Sequence, residues 1–254
     1  MKITLLICLL FTSINSYADF SSVVIGHNTP VKKVHRAQNE IILTFDDGPT
    51  PGVTNRILNT LKKHNIKGTF FVQAENAINY PELMNRIVNE GHIVGNHSYT
   101  HQVLTNLEYS SWKQVVQKEV LDAHEVIAPY MTNAQHFYYR APGSYWEPRF
   151  AQFLNEDEIG KNYIGPIHWD IGGKLEIRNG RVAKAADWEC WRKKVPVNEC
   201  LSGYIAETRQ NAGGVVLIHD VSPQSAEMLE RYLAILGNAF TFRTLDDLNL
   251  NDKK

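Results

Sequence analysis

The sequence predicts an α/β fold on two observations. Short apolar runs rich in β-branched and aromatic residues recur along the chain, and longer stretches of helical period separate them. A third observation sets the size: 254 residues, 43% hydrophobic and 21% charged, can bury a core as one domain.

Strands are predicted in order at 41–45, 68–73, 92–96, 137–140, 163–170, 214–220 and 240–245. Helices are predicted between them at 53–64, 80–90, 110–128, 147–154, 200–211 and 222–236. In the third helix Trp112, Val115, Val116, Glu119 and Val120 recur at spacings of three and four, which reads as the packing face of an outer helix without functional content. Segment 175–184 is polar, contains glycine, and reads as an insertion loop.

Residues 1–18 have the pattern of a secretory leader. Lys2 is the charged start, 3–11 the apolar run, and Ser16, Tyr17 and Ala18 a small-x-small cleavage site, so the mature domain is expected at 19–254. The apolar run is short of the roughly 20 residues that span a bilayer, so no stable membrane insertion is expected after cleavage. Ile7 before Cys8 is too large for a usual lipoprotein site. Cys190 and Cys200 then remain in a chain bound for a secreted or periplasmic, oxidising location, and a disulfide between them is the natural reading. The net charge of -1 and the lack of a Lys/Arg stripe give no support to nucleic acid as a partner. A neutral glycan fits at least as well.

The polar residues with chemical potential cluster at the C-terminal ends of predicted strands, where parallel α/β barrels place their sites. Thr44 and Phe45 lead into Asp46, Asp47, Gly48 and Pro49. Adjacent strand residues face opposite ways, so a sharp turn is needed to bring both carboxylates to one site. Past the third strand, His97 and His101 stand four apart, and a single helical turn would put both rings on one side. Two imidazoles and one carboxylate leave positions open for water and substrate, as a catalytic metal site requires.

With these clusters the sequence resembles the polysaccharide deacetylase family, also called the NodB homology domain or carbohydrate esterase family four. Thr44 to Pro49 is similar to its first motif and His97 to His101 to its second. Arg140, Ala141, Pro142 and Gly143 match the third, and Val216 to Asp220 the fifth. The resemblance covers about 41–248 and implies a single-domain distorted (β/α)7 barrel. The fourth motif, an Asp-Trp pair, is displaced: Asp187 and Trp188, after the insertion, resemble it better than Asp170 does.

The resemblance implies one divalent metal ion held by Asp47, His97 and His101, with zinc first and cobalt, nickel or manganese also accepted by such donors. Asp46 would be the base, kept ionised by Arg140, and Gly143 would give its backbone N–H to the oxyanion. His219 would protonate the departing amine, with its pKa raised by Asp187. If Asp187 takes that role, Asp170 becomes a structural partner of Arg140. Trp188 and Leu217 would wall a slot for the acetyl methyl, and Tyr145 and Trp146 would either stack on sugar rings or pack the rim. The implied reaction is removal of N-acetyl groups from GlcNAc or MurNAc residues of a polysaccharide, with peptidoglycan first and chitin or its oligomers next. An O-acetyl esterase acting on xylan or a similar polymer and a silent glycan-binding module are the alternatives.

Overall fold

The computed structural model describes residues 39–248. The leader inferred at 1–18 lies outside the described residues. In chain order the elements begin with β1 (Glu40–Asp46), α1 (Val53–His64), β2 (Thr69–Val72), α2 (Ala74–Asn79), α3 (Pro81–Asn89) and β3 (Ile93–Asn96). Next come α4 (Trp112–Val116), which runs through a π-helical segment at Gln117–Asp122 into α5 (Ala123–Ile127), then β4 (Phe137–Tyr138), α6 (Pro148–Asn155) and β5 (Tyr163–Ile164). The chain ends with β6 (Glu176–Arg178), β7 (Arg181–Lys184), α7 (Asp187–Arg192), α8 (Val197–Gln210), β8 (Gly213–His219), α9 (Pro223–Leu236) and β9 (Thr241–Arg243).

The central strands are parallel in the order β3-β2-β1-β8. From Ile41 to Phe45, β1 is buried on both faces and apolar except for Thr44, as expected of a parallel strand covered on each side. Parallel bridges extend the sheet into a curved wall: Asn96 pairs with Tyr139 beside β4, β4 pairs with β5, and Ile171 pairs with Val216 of β8. β9 pairs with the first half of β1, from Glu40 to Ile42, while β2 pairs with its second half. The strands therefore point their carboxyl ends to one mouth, where Asp46 lies in register with His219.

The local differences from the sequence reading have physical causes. The 137–140 and 163–170 strands shorten to two residues each in regular pairing, and Pro166 has no N–H with which to continue a ladder. The helix expected at 110–128 is interrupted by its π segment. A short α2 follows β2 unannounced, since six residues are too few to show a helical period. The 175–184 loop is instead a hairpin of β6 and β7, turning at Asn179 and Gly180 with φ of 51° and 72°. An Asn-Gly pair is the residue choice a tight hairpin turn requires.

This hairpin packs on α8 at Gly203, where an added Cβ would lie 2.7 Å from the side chains of Ala185 and Val182. α8 begins at Val197, earlier than the 200–211 reading, and carries Cys200, which is bonded to Cys190 of α7. No helix among the described residues is long and apolar enough to cross a membrane.

Candidate active site

Asp46 ends β1 and is buried, and Asp47 follows with φ of 77°. This left-handed residue, one that Asp tolerates better than most, makes the turn that brings both carboxylates to one cleft. Neighbouring side chains hold the turn. Asn76 of α2 donates to the Asp47 carbonyl at 2.7 Å, and Gln73 donates to Asp47 Oδ1 at 3.2 Å. Asp220 accepts the Gly48 N–H at 2.9 Å and the Thr54 hydroxyl at 2.6 Å. Burial pushes the Asp220 carboxyl up to about 7, and the nearby Asp47 charge adds to this against the hydrogen bonds.

His97 extends from β3, and its Nδ1 lies 2.8 Å from the Arg140 carbonyl. A carbonyl only accepts, so Nδ1 carries the proton and Nε2 is left as the ligand atom. That Nε2 lies 3.2 Å from Asp47 Oδ1, and His101 Nε2 lies 3.1 Å from the same oxygen. One ligand atom from each of the three residues falls within 4.8 Å of the others.

The turn from His97 to His101 is not helical as expected. Ser98 and His101 have φ of 73° and 64°, and the Ser98 hydroxyl accepts the His101 N–H at 2.9 Å. The missing support comes from Glu119, on the π segment. It accepts the N–H groups of Tyr99 and Thr100 at 3.2 and 2.9 Å and the Thr100 hydroxyl at 2.7 Å. The face read as plain packing therefore holds the histidine loop in place. A buried carboxylate amid Trp112, Val116 and Val120 was the signal available for it.

Arg140 is 1% exposed and fully employed. It donates to Asp46 Oδ1 at 2.7 Å, to the Thr44 hydroxyl at 2.8 Å, and to the carbonyls of Ile167 and His168 at 2.9 and 3.3 Å. Its guanidinium also stacks 4.2 Å from the centre of the Phe71 ring. Burial pulls the Asp47 carboxyl upward, but hydrogen bonds to His101 and His97 win and hold it well below the usual carboxylate range. Burial likewise opposes charge on His97, yet Asp46 and Asp47 raise its pKa, so the cluster attracts positive charge strongly.

The opposite wall is built by α7. Asp187 is 3% exposed, and its Oδ1 lies 2.8 Å from His219 Nδ1. Its second oxygen accepts the His219 N–H at 2.8 Å and the Ser225 hydroxyl at 2.7 Å. Tyr204 fixes the approach, accepting the Asp187 N–H at 3.1 Å and donating to the Leu217 carbonyl at 2.8 Å. Burial alone would depress His219, but the charge and hydrogen bond of Asp187, helped by Asp47 and Asp46, raise it to about 9. Asp170 lies elsewhere, with Oδ2 accepting the Val215 N–H of β8 at 2.9 Å.

Asp46, Asp47, His97, His101, Gly143, Leu217, Trp188 and His219 line one cleft of about 750 Å³, together with Ala141, Trp169, Gly173, Trp191 and Arg192. Gly143 is exposed there with φ of 60°. Asp170, Tyr145 and Trp146 are not part of this lining. Trp146 is a correction to the sugar-stacking reading: it is 3% exposed and packs on Tyr139 and Phe150 at 5.3 and 5.5 Å between ring centres, with no free face for a sugar. Tyr145 is half-buried against the core, and its hydroxyl donates to Glu147 at 3.0 Å. Trp169 falls in the predicted fifth strand, where nothing distinguishes its wall role from packing. Trp191 and Arg192 depend on how the insertion folds, and no local pattern marks them.

The chain is also similar to known proteins. A chitooligosaccharide deacetylase of Bradyrhizobium sp. is 32% identical over 74% of this chain and 73% of its own length. A peptidoglycan-N-acetylglucosamine deacetylase of Bacillus cereus is 44% identical over 35% of this chain, which spans about a third (34%) of that relative's length. Among solved structures, the peptidoglycan deacetylase PdaC from Bacillus subtilis, as its D285S mutant, aligns with a TM-score of 0.62 and 25% identity, covering 84% of this chain and 91% of that one. The sequence profile of the family described as polysaccharide deacetylase matches residues 33–159, a span that contains Asp46, Asp47, His97, His101 and Arg140. With that match, and a relative 32% identical across most of both chains, the chain belongs to the polysaccharide deacetylase family.

Proposed function

We propose that this chain is a metal-dependent hydrolase that removes N-acetyl groups from GlcNAc or MurNAc residues of a polysaccharide, with peptidoglycan as its substrate. The observation that carries the reading is the meeting, in one cleft, of the Asp47, His97 and His101 cluster, the Asp46–Arg140 pair and the His219–Asp187 pair.

The donor set fits a divalent ion. Two imidazole nitrogens and a carboxylate oxygen converge, and the His97 tautomer is fixed with its Nε2 free. An ion held there, zinc in the first place, would polarise the acetyl carbonyl and acidify a water. Asp46 is the group placed to take the proton of an attacking water. Its Oδ2 lies 3.7 Å from His97 Nε2, and Arg140 holds its other oxygen. Gly143 lines the cleft, and its backbone N–H is the proposed donor to the oxyanion. His219, protonated at neutral pH, gives its proton to the departing nitrogen. A histidine held protonated by Asp187 suits an amine leaving group, which must be protonated to depart. Leu217 and Trp188 wall the slot for the acetyl methyl.

The reading places the enzyme outside the cytoplasm, secreted or periplasmic, as one domain at 19–254. The leader pattern at 1–18 and the Cys190–Cys200 disulfide support this. Acetate release from peptidoglycan, chitooligosaccharide and acetylxylan, measured in parallel with and without a chelator, tests the function. Chelator-sensitive release, fastest on peptidoglycan, is expected. Release from acetylxylan alone would make it an esterase, and release from none would make it a silent glycan-binding module.

A further inference from the structure

The cleft carries one charge that the deacetylation chemistry does not use, the guanidinium of Arg192 on α7. Several other arginines of the described region are held by carboxylates, as Arg56 is by Glu230 and Arg231 by Glu227. Arg192 makes no ion pair among the described residues, and its recorded contact is with an aromatic face, 5.0 Å from the centre of the Trp188 ring. Glu189, on the same helix, is engaged by Lys193 and by the Leu175 N–H.

This arrangement has a chemical consequence. A guanidinium laid on an indole is steadied through its flat face, while the N–H donors in its plane stay free for a planar, bidentate acceptor. The neighbouring surface favours such an acceptor. Asp46 is neutralised by Arg140, and Asp47 faces two imidazoles, so the acidic floor of the cleft is already compensated. Trp191 lines the same cleft and adds aromatic surface of the kind on which a sugar ring rests. The disulfide from Cys190 to Cys200 ties the helix that carries all three side chains to α8.

We infer that Arg192 binds a carboxylate carried by the glycan beside the reacting sugar, so that the insertion selects acidic over neutral amino-sugar polymers. This rests on the deacetylase reading and adds the charge of the substrate to it. On a bacterial glycan the carboxylate can belong to the sugar itself or to an attached peptide, and both present the same planar anion to the guanidinium.

The test measures kcat/KM for acetate release by the parent, Arg192→Gln and Arg192→Glu. The three substrates are a neutral chitooligosaccharide, peptide-free peptidoglycan strands bearing only the sugar carboxylate, and strands with intact peptides. The ratio of acidic to neutral kcat/KM should fall by roughly fivefold to tenfold in Arg192→Gln and further in Arg192→Glu, the size expected of an exposed charge-assisted contact. Raised salt should compress the parent's preference. A drop already present on peptide-free strands assigns the carboxylate to the sugar, and a drop confined to intact strands assigns it to the peptide. An unchanged ratio in both variants, or an equal loss on all three substrates, overturns the inference. If the parent releases acetate from none of them, it is the deacetylase reading that fails.

Discussion

Asp46, Asp47, His97, His101 and Arg140 stand at strand ends of the barrel, fixed by hydrogen bonds to its backbone and to side chains such as Thr44, Asn76 and Glu119. Asp187, Trp188 and Arg192 stand on a six-residue helix that follows a hairpin and is itself tied down by a disulfide. The first group is held by the fold as a whole and the second by a local graft, so the two walls of the cleft should fail differently. Damage to the barrel wall should remove the reaction. Damage to the grafted wall should retune its pH range and substrate preference.

The largest effect is expected from the barrel wall. Asp47→Ala, His97→Ala or His101→Ala should strip the metal and abolish turnover with the fold retained, since the three residues proposed as ligands lie outside the hydrophobic core clusters. Metal analysis and circular dichroism of the purified variants check this. A double histidine variant that kept stoichiometric metal and activity would show that the cluster is not the site.

Next in size is Asp46→Asn. The amide keeps the shape and the metal but cannot take the water's proton, so kcat should fall by about 10²–10⁴-fold. A metal-loaded variant turning over at the parent rate would remove Asp46 from the mechanism.

A smaller effect is expected one layer out. Glu119→Gln weakens the acceptor that holds the N–H groups of Tyr99 and Thr100, and metal affinity should drop roughly 10–100-fold, as for other outer-shell partners. Titrating metal back should restore much of the activity. Unaltered affinity would reduce Glu119 to a packing residue.

The same division explains what the sequence revealed. The barrel wall is carried by short motifs at strand ends, so Asp46, Asp47, His97 and His101 stood out as two clusters by residue type and spacing, and Arg140 was reached through the resemblance to the family's third motif. The grafted wall was legible only in part. Asp187 and the cysteines could be named, but their meeting with His219 depends on a hairpin and on α8, which bring distant segments together. Trp146 stayed open between sugar stacking and packing because an aromatic beside a motif looks the same in sequence whether it faces a sugar or Phe150. Glu119 was hidden because its helix face is otherwise apolar, and a π turn that redirects one carboxylate leaves no periodic trace.

A still smaller effect is expected from the staple. Replacing Cys190 and Cys200 by Ser should cost roughly 2–3 kcal/mol of stability, the loop-entropy value for so short a closure. It should also loosen α7, so that part of any pH shift produced by losing Asp187 appears here as well. Thermal melts and pH profiles of the double Ser variant check both expectations, and a melting point and profile identical to the parent's would show that the graft holds without its staple.

The central claim is that the grafted wall supplies the partner of His219, the proposed catalytic acid, and the pH dependence of kcat/KM tests it most directly. The Asp187 carboxylate stabilises the His219 imidazolium, so the acid stays loaded until pH rises through its raised pKa of about 9. Asp187→Asn removes that charge and should move the upper limb of the profile to lower pH. Asp170→Asn should leave the limb in place, because Asp170 bonds the backbone of β8. The comparison requires the parent and both variants at matched metal content. An upper limb that moves in Asp170→Asn and stays in Asp187→Asn would contradict the account.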